Sequence, residues 1–457
     1  MKEKLKNIIS LNGIAYADAR YESNTETVVS YEGPEIKEAR TSSRDGFNLR
    51  VYSSGGKASG SYSSLDEAGK AARFLDGLNK ASSGLRKEEI RIAPAPVRDE
   101  KFEIHPVSDP RGKSLGEKKE LLESYNRTAL EQDGVINTRM AYEDFSSRRI
   151  FVSSEGAAIE YELLICGISG VIITGKNGVI QTKRIAFGGS PEFSAVEGRE
   201  EDLLSEISIA QKLPSAGPVK GGRCPVVLNT GLAAVFVHEA FGHLSESDII
   251  QDNPSFLDRL PLGAAVAGGA LSISDDPGLK NLPGSCEIDD EGVPAAKTLL
   301  VKDGVLSGRL HSRETACFFD EPLTGNMRAV DCGYSPIIRM SNIFIENGSS
   351  TKQELFSGID KGFYLCNARG GQTSGDQFTF GAEYGYRIAN GVLKEMVRDI
   401  NISGELFSAL RNISAVAGDL EFLEYGGCGK GSPMQLNRFS GLGAPHIKID
   451  SVNVGGL

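Results

Sequence analysis

The sequence has no tryptophan and is poor in histidine and cysteine, with five and seven of them among 457 residues. The cysteines are odd in number, scattered and without CxxC spacing, which argues against a disulfide framework and predicts reduced thiols, as in a cytoplasmic protein. No apolar run approaches the roughly 20 residues that span a bilayer. The lysine-rich start predicts an amphipathic helix rather than a signal peptide. We therefore expect a cytoplasmic protein with no membrane partner.

Positive charge is also scarce, since 50 Lys and Arg stand against 61 Asp and Glu, and the net charge is −11. Proteins that bind nucleic acid through its phosphates carry clustered basic residues, so no nucleic-acid partner is expected. The 40% hydrophobic and 24% charged residues are typical of a globular protein, and the length predicts two or three domains. The 54 glycines indicate many turns and therefore many strands.

Turn residues and hydrophobic periodicity divide the chain and predict an α+β fold with antiparallel or mixed sheets. Residues 1–90 predict an N-terminal α+β unit, and residues 91–111, which contain four prolines, predict an extended connector. Residues 112–213 predict a central unit in which a strand meander packs with helices. Residues 214–222, rich in proline and glycine, predict a linker to a largely β-structured C-terminal domain at 223–457.

A segment at 237–243 (VHEAFGH) combines two of the five histidines with a glutamate and follows an apolar helix. Two neutral imidazoles can hold zinc while a carboxylate accepts a proton from the attacking water. The spacing HExxxH is one residue longer than HExxH, and a regular α-helix would leave His238 and His243 about 140° apart. We expect the helix to widen to a π-turn or to break at Gly242, which would bring the rings together. The alternative is two unrelated histidines on a core helix.

A catalytic zinc usually takes a third protein ligand, for which the residues alone leave several candidates. Cys428 lies in a glycine-rich loop at 426–431 (GGCGKG), where positive φ would let the backbone approach a metal and Lys430 would favour the thiolate. A loop cysteine without a metal is the equal alternative. The remaining candidates are Glu246, Asp248, His311, His446 and the other cysteines. Glu246 and Asp248 are expected to cap a helix or to be solvated, His311 to open a short helix, and His446, like the isolated His105, to lie at the surface.

Several segments together resemble a known family. The HExxxH motif is followed by 286–294 (CEIDDEGVP), 325–328 (GNMR), 339–342 (RMSN) and the Cys428 loop. These motifs are similar, in content and order, to those of the TldD/PmbA metalloprotease family, and they span about half of the chain. The segment 272–277 (SISDDP) also resembles the family, but it has no role that we can assign from the sequence.

The resemblance implies a TldD-like member of the metal-binding branch, with Cys428 as the third ligand beside His238 and His243. It implies an enclosed chamber that admits unfolded peptides as extended strands. It also implies a homodimer or a heterodimer with a PmbA/TldE-like relative. The family also carries the label "modulator of DNA gyrase", for which the acidic charge gives no support.

These observations predict a zinc-dependent peptidase with one Zn²⁺ per chain and Glu239 as the general base. Main-chain pairing of an extended peptide with a sheet edge would give little sequence preference. Because one thiolate makes the metal a weaker Lewis acid, further groups are expected to stabilise the oxyanion or contact substrate, and the candidates are His311, Arg313, Asn326, Arg328 and Arg339. Two alternatives are a catalytically silent metal-binding subunit of a hetero-oligomeric protease and, least favoured, a DNA-associated regulator.

Overall fold

The computed structural model describes residues 1–85 and 89–456, with only the backbone described at Ser374. One sheet dominates the first half of the chain, and it takes strands from both sides of the segment 91–111. The elements of this half are α1 (Lys2–Ile9), β1 (Tyr16–Glu32), β2 (Glu35–Ser53), β3 (Gly56–Tyr62), α2 (Leu65–Ala81), β4 (Lys101–Phe102), α3 (Leu115–Leu130), β5 (Val135–Ser153), β6 (Ala158–Lys176), β7 (Val179–Ser190) and α4 (Glu200–Lys212).

The strands of this sheet are ordered β3-β2-β1-β5-β6-β4, and β7 pairs with the opposite end of β6. All pairings are antiparallel except that of β4 with β6. Helix α3 begins at a capping box, in which Ser114 Oγ accepts from Glu117 N and the Glu117 carboxylate accepts from Ser114 N. The four helices bury apolar residues of the sheet in two clusters, one under α1 and α2 and one under α3 and α4.

Strand β1 shows how the two faces of this sheet differ, because successive side chains of a strand point to opposite faces. Ala17 and Ala19 belong to the apolar cluster under α1 and α2. The alternate residues Asp18, Arg20 and Glu22 are also buried, although they are charged. Arg20 donates to the carbonyl oxygens of residues 331 and 334 in the second half of the chain. The second half therefore covers the polar face of the sheet.

The second half contains most of the short strands. Its elements are β8 (Gly217–Pro218), β9 (Gly222–Leu228), α5 (Thr230–Val237), a π-helix (His238–Gly242), α6 (His243–Ser245), α7 (Ser247–Gln251), α8 (Pro254–Arg259), β10 (Ile273–Asp275), β11 (Thr298–Lys302), β12 (Val305–Leu306), α9 (Arg313–Phe319), β13 (Met327–Arg328), β14 (Ile337–Ile338), β15 (Asn342–Ile345), α10 (Lys352–Phe356), β16 (Lys361–Ser374), β17 (Gln377–Ala389), β18 (Val392–Arg398), β19 (Ile400–Glu405), α11 (Leu406–Arg411), β20 (Ile413–Val416), β21 (Glu421–Phe422), β22 (Cys428–Lys430), β23 (Gln435–Asn437), β24 (Gly441–Ala444) and β25 (Ile447–Gly456).

Five of these strands close on themselves as a barrel in the order β16-β9-β25-β19-β17, because β17 pairs with both β19 and β16. A second sheet has the order β12-β11-β10-β15-β24-β21. Helix α5 packs against strands of both, and the ring of Phe236 lies 5.6 and 5.5 Å from the rings of Phe378 and Phe380. The predicted α+β class, with a largely β second half that carries the histidine helix, is confirmed.

Four short 3₁₀ turns complete the described elements, at Ser83–Leu85, Pro110–Gly112, Phe193–Ala195 and Leu213–Ser215. None of the helices in residues 1–85 and 89–456 has the length and apolar character that crossing a membrane requires.

Candidate metal centre

Helix α5 leads directly into the histidine motif. It begins at Asn229, whose side chain accepts a hydrogen bond from Leu232 N, and it buries nearly all of its residues. From His238 to Gly242 the helix widens, and the amide of His243 donates to the carbonyl oxygen of His238, five residues earlier. The two rings consequently stand side by side, with centroids 4.9 Å apart and planes at 69°. The π-turn that the HExxxH spacing predicts is confirmed.

The role expected for Gly242 is partly wrong. Its φ of −55° and ψ of −50° are ordinary helical angles, so no special backbone freedom is needed there. The constraint is space, because a Cβ on Gly242 would collide with Met340 Sδ and lie 2.9 Å from Ile343 Cδ1. Glycine therefore lets the widened helix pack closely against Met340, just before β15, and against Ile343 in that strand.

The third potential metal ligand is the thiol of Cys428, at the start of the β22–β23 hairpin. Its Sγ lies 2.9 Å from His238 Nε2 and 3.3 Å from His243 Nε2, and the three ligand atoms all lie within 4.8 Å of one another. Ligands of one tetrahedral zinc ion are about 3.3 to 3.6 Å apart, given the usual bond lengths. Two imidazole nitrogens and one thiol at this spacing are a donor set that fits zinc.

The hairpin is held by Arg339 rather than by unusual glycine angles. Arg339 Nη2 donates to the Cys428 carbonyl oxygen at 2.8 Å, and Nη1 donates to that of Gln435 at 3.1 Å. Positive φ was expected next to Cys428, but Gly431 alone among the four loop glycines has it, at 93°. The glycines beside the cysteine have ordinary φ values, so that expectation is wrong.

Glu246 was expected to cap a helix or to be solvated, and the structure corrects this. Its side chain is fully buried, and it contacts His243 Nδ1 at 2.9 Å and Lys430 Nζ at 3.1 Å. Lys430 also donates to both carboxylate oxygens of Asp248 at 2.8 Å. The lysine thus pairs with two carboxylates, whereas the sequence suggested that it would favour a thiolate. The sequence signal for this pairing was a lysine two residues after the cysteine and acidic residues three and five positions after His243.

Burial and neighbouring groups shift the pKa values of the motif residues in different directions. Burial, with contributions from His243 and Arg339, holds the pKa of His238 well below its usual range, so this ring is neutral and can act as a ligand. Burial also lowers the pKa of His243, but hydrogen bonds to Cys428 and Glu246 outweigh it and raise the value to about 10. Burial raises the pKa of Glu239, with Glu246 adding to the shift and His243 opposing it. A raised carboxylate pKa suits a general base that must later release its proton.

Two of these residues have polar atoms without a partner. Within the described part of the chain, no hydrogen bond or ion pair of the Glu239 carboxylate is found, and its carbonyl oxygen accepts from Thr373 Oγ1 at 3.1 Å. Buried His238 Nδ1 likewise has no partner there. Buried polar groups are nearly always hydrogen-bonded, and within residues 1–85 and 89–456 His238 Nδ1, Glu246 Oε1 and Arg339 Nε are three exceptions at this centre.

None of the five candidates for oxyanion or substrate contact belongs to the group of His238, His243 and Cys428. All are buried, between 1% and 7% exposed. His311 contacts Glu321 and Thr315, and Arg313 donates to Ala93 and Glu155. Asn326 donates to Asp275, Arg339 and Ser341, and Arg328 donates to Gly325, Met327, Cys286 and Ser341. Arg339 donates through Nη1 and Nη2 to Gln435 and Cys428, whereas its Nε has no hydrogen-bond partner among the described residues and lies 3.9 Å from Glu246 Oε1. These side chains hold the segments around the site together, and a role in oxyanion stabilisation or substrate contact stays a prediction.

The two remaining histidines separate. His105 is exposed, as predicted. The surface position expected for His446 is wrong, because its ring is buried between Tyr364 and Asp419. Nε2 lies 2.9 Å from Tyr364 Oη, and Nδ1 lies 2.9 Å from Asp419 Oδ2.

The acidic segment at 289–291 joins the two halves of the molecule. Asp290 accepts from Arg149 Nη1 at 2.8 and 2.9 Å and from Tyr161 Oη, and Arg20 Nη1 is 3.6 Å away. Glu291 accepts from Arg50 at 2.6 Å. Asp289 instead accepts from backbone amides, including that of Met327. The segment that resembles the family therefore serves as an ionic clamp on the polar face of the first sheet.

The segment at 272–277, which had no assigned role, supports the neighbourhood of the site. Asp275 is fully buried on β10 and accepts from Asn326 Nδ2 at 2.9 Å and from Ser341 N at 2.8 Å. Burial raises its pKa to about 6 against these hydrogen bonds. The contacts tie β10 to the segment that also presents Arg339 and Met340.

A cavity of about 1080 Å³ lies between the two halves and extends to the loop that precedes Cys428. Gly231 and Val235 of α5 line it, as do Gly426 and Gly427, which immediately precede Cys428. Strand β7 forms part of the opposite wall. The cavity is therefore large enough for several residues of an extended peptide and ends beside the loop that carries the thiol.

Comparison with known proteins agrees with this geometry. The C-terminal, central and first domains of the PmbA/TldA metallopeptidase family match residues 221–456, 108–213 and 17–79. A metalloprotease of Synechocystis sp. is 35% identical over 455 residues, covering 96% of this chain and 95% of that protein. A protein of Saccharolobus solfataricus named zinc metalloprotease TldD homolog is 34% identical over 251 residues, covering 54% and 55%.

Two solved structures share the fold. A Thermotoga maritima protein described as a modulator of a DNA gyrase has a TM-score of 0.79 at 19% identity, covering 99% of both chains. TldE from Thermococcus kodakarensis has a TM-score of 0.78 at 18% identity, again covering 99% of both. The matched domains span most of the sequence and lie in the order expected from the motifs. This chain belongs to the PmbA/TldA metallopeptidase family, the TldD/PmbA family that its motifs resemble.

Proposed function

We propose that this protein is a zinc-dependent peptidase that hydrolyses unfolded or extended peptides at the centre formed by His238, His243 and Cys428. The observation that carries the proposal is that these three ligand atoms lie within 4.8 Å of one another, because a π-turn brings the two histidines together and a distant hairpin adds the cysteine. The zinc metalloprotease name of the Saccharolobus solfataricus relative supports the choice of metal. Zinc bound there supplies Lewis acidity to a peptide carbonyl and lowers the pKa of water.

The residues of the chain divide the remaining work. Glu239, half-buried and without a protein partner among the described residues, takes the proton of the attacking water and delivers it to the leaving amine. His238 and Cys428 hold their positions through burial and through Arg339. Each of these groups is placed by packed secondary structure, which limits the reorganisation needed for reaction.

The interdomain cavity is proposed to admit the peptide. Its mouth lies between the first sheet and the second half of the chain, and Gly426 and Gly427 bring it to the Cys428 loop. Basic and acidic side chains both line it, as Lys183 does with Glu206 and Glu383 and as Arg199 does with Glu424, so their charges largely offset one another. Such a wall favours no single charge on the substrate, which suits an enzyme that accepts varied sequences.

The proposal extends to one zinc ion per chain and to assembly as a homodimer or with a TldE-type partner. A structural neighbour is TldE, and the family resemblance implies pairing. A cytoplasmic location is proposed from the scattered cysteines, and the described residues contain seven free thiols.

The decisive experiment compares the wild type with Glu239→Gln on an unstructured peptide, with zinc content measured for both. We expect the variant to keep about one zinc per chain and to lose activity by a factor of about 10² to 10⁴, the usual contribution of a general base. Glu201→Gln, an exposed glutamate on α4, serves as the control. Parental activity in Glu239→Gln would refute the assignment of the base, whereas a wild type with zinc but no cleavage would favour the silent-subunit alternative.

A further inference from the structure

We propose that Glu246 is a positioning residue that couples both halves of the zinc-ligand set, orienting His243 directly and holding the Cys428 hairpin through Lys430. This inference rests on the proposed zinc site. It concerns a residue that the sequence placed in a cap or in solvent. The structure instead buries its carboxylate completely between the histidine helix and the cysteine hairpin.

The first arm of this arrangement is the contact with His243. Glu246 Oε2 lies 2.9 Å from Nδ1, so that nitrogen donates to the carboxylate, and Nε2, 3.3 Å from Cys428 Sγ, is the nitrogen that would face a metal ion. Metal-binding histidines commonly donate their second ring N–H to a carboxylate, which fixes the tautomer and the ring orientation. His238 has no equivalent, because its Nδ1 has no partner within the described residues.

The second arm reaches the cysteine. Lys430, two residues after Cys428 on β22, has its ammonium 3.1 Å from Glu246 Oε2 and 2.8 Å from both oxygens of Asp248. Its Nζ also donates to the Ile338 carbonyl oxygen at 3.1 Å. The hairpin that carries the thiol is therefore fastened to the end of the histidine helix by one lysine and two carboxylates.

These two arms meet on one oxygen atom of one side chain. The segment from 238 to 248 and the hairpin from 428 to 437 are far apart in the chain, so no local structure fixes their distance. A buried ion pair with good geometry resists displacement, because breaking it leaves an unpaired charge out of water. Glu246 thus sets the position of His243 relative to Cys428, which is the separation that one metal ion must bridge.

The direct test is the zinc dissociation constant, measured by competition with a chelator, which needs no catalytic activity. We expect Glu246→Ala to weaken zinc binding by about 10-fold to 100-fold, the range usual for removal of such a partner. Glu246→Gln keeps an oxygen that accepts from His243 Nδ1 but loses the charge that attracts Lys430, so it should recover part of that loss. Zinc binding by Glu246→Ala within about twofold of the wild type would overturn the inference.

The coupling is tested separately with Lys430→Met. As a single substitution, this change should weaken zinc binding. In the Glu246→Ala background it should have little further effect, so that the two losses of affinity fall short of multiplying by at least about threefold. Independent, multiplicative effects of the two substitutions would refute the link between the arms. With cobalt in place of zinc, Lys430→Met should weaken the thiolate-to-metal charge-transfer band, whereas an unchanged band would show that the lysine does not position Cys428.

Two controls match these variants. Asp144→Asn removes a buried carboxylate that pairs with Lys118 in the first half of the chain, and Lys394→Met removes an exposed lysine. Neither should change the zinc dissociation constant. If Glu246→Ala does not fold, Glu246→Gln and Lys430→Met carry the test alone. A wild type that binds zinc tightly but cleaves no peptide would remove the proposed peptidase function without affecting this measurement, and unaltered affinity in an active enzyme would remove only the inference.

Discussion

Two clusters of buried polar side chains, the candidate metal centre and the ionic clamp at 289–291, differ in how far their hydrogen-bonding groups are satisfied. In the clamp, Asp290 and Glu291 meet arginines of the first sheet, and Asp289 is saturated by backbone amides. In the metal centre, three potential ligand atoms face one another, and the Glu239 carboxylate has no partner among the described residues. Saturated polar groups hold a structure together, whereas groups left open are available for a ligand.

The two clusters also differ in which parts of the molecule they connect. The clamp sets the first sheet against the second half of the chain, and the cavity that reaches the Cys428 loop lies between those halves. The metal centre depends on a π-turn and on a distant hairpin. One motif therefore joins the two halves of the chain, and the other brings three potential metal ligands together.

The largest expected effect comes from removing the thiol. Cys428→Ser should reduce zinc affinity by more than about 100-fold, beyond the loss usual for a group that only supports a ligand. Peptidase activity should fall with zinc content. Cys366→Ser, at a buried cysteine of β16 outside the three-residue metal group, is the matched control for both measurements. Full zinc content in Cys428→Ser would show that the two histidines suffice and that the cluster is misassigned.

The clamp should respond in stability rather than in metal affinity. Asp290→Asn leaves buried Arg149 and Arg20 with the single carboxylate of Glu22, and we expect a loss of up to about 3 to 5 kcal/mol in the free energy of unfolding. Urea denaturation of the zinc-loaded protein measures it. Glu395→Gln, which breaks an exposed pair with Arg387, should leave the unfolding midpoint unchanged. Equal losses of unfolding free energy in the two variants would contradict the expectation that buried ion pairs stabilise the protein more than exposed ones.

The same contribution should vanish in acid. Burial would raise the pKa of Asp290, but Arg149 and Arg20 outweigh it and hold the pKa well below its usual range. A depressed carboxyl pKa adds stability above the unfolded value of about 3.9, and this stability is lost as pH falls. We therefore expect a constant stability difference between wild type and Asp290→Asn from pH 8 to about pH 5, shrinking below about pH 4. Measuring the difference cancels the titration of other groups, and a gap that grew in acid would contradict the sign.

The smallest expected effect concerns the fit of the π-turn. Gly242→Ala places a methyl group against Met340 and Ile343, and overpacking of this kind costs about 1 to 3 kcal/mol. Because φ is already helical there, we expect lost stability with zinc still bound. Gly69→Ala on α2, where a Cβ meets nothing within 4 Å, should not destabilise the protein. A Gly242→Ala protein of full stability but without zinc would indicate that the glycine serves the turn conformation after all.

Much of the fold and part of the site could be predicted because their causes are local. Capping residues predicted α3, glycine-rich turns and alternating side chains predicted a strand-rich chain, and the five-residue interval between His238 and His243 required a widened helix. The burial of Glu246 and His446 could not be predicted, since exposure depends on which distant segments cover a residue.

The sequence by itself determined the chemistry available to this protein, namely two imidazoles, one neighbouring carboxylate and a thiol in a glycine-rich loop. Only the tertiary structure decided that Cys428 meets His238 across 190 positions of the chain and that Glu246 and Lys430 join their two segments. The physical reason is that residue type fixes what a side chain can bind, whereas long-range packing alone brings the partners within reach and removes the competing water.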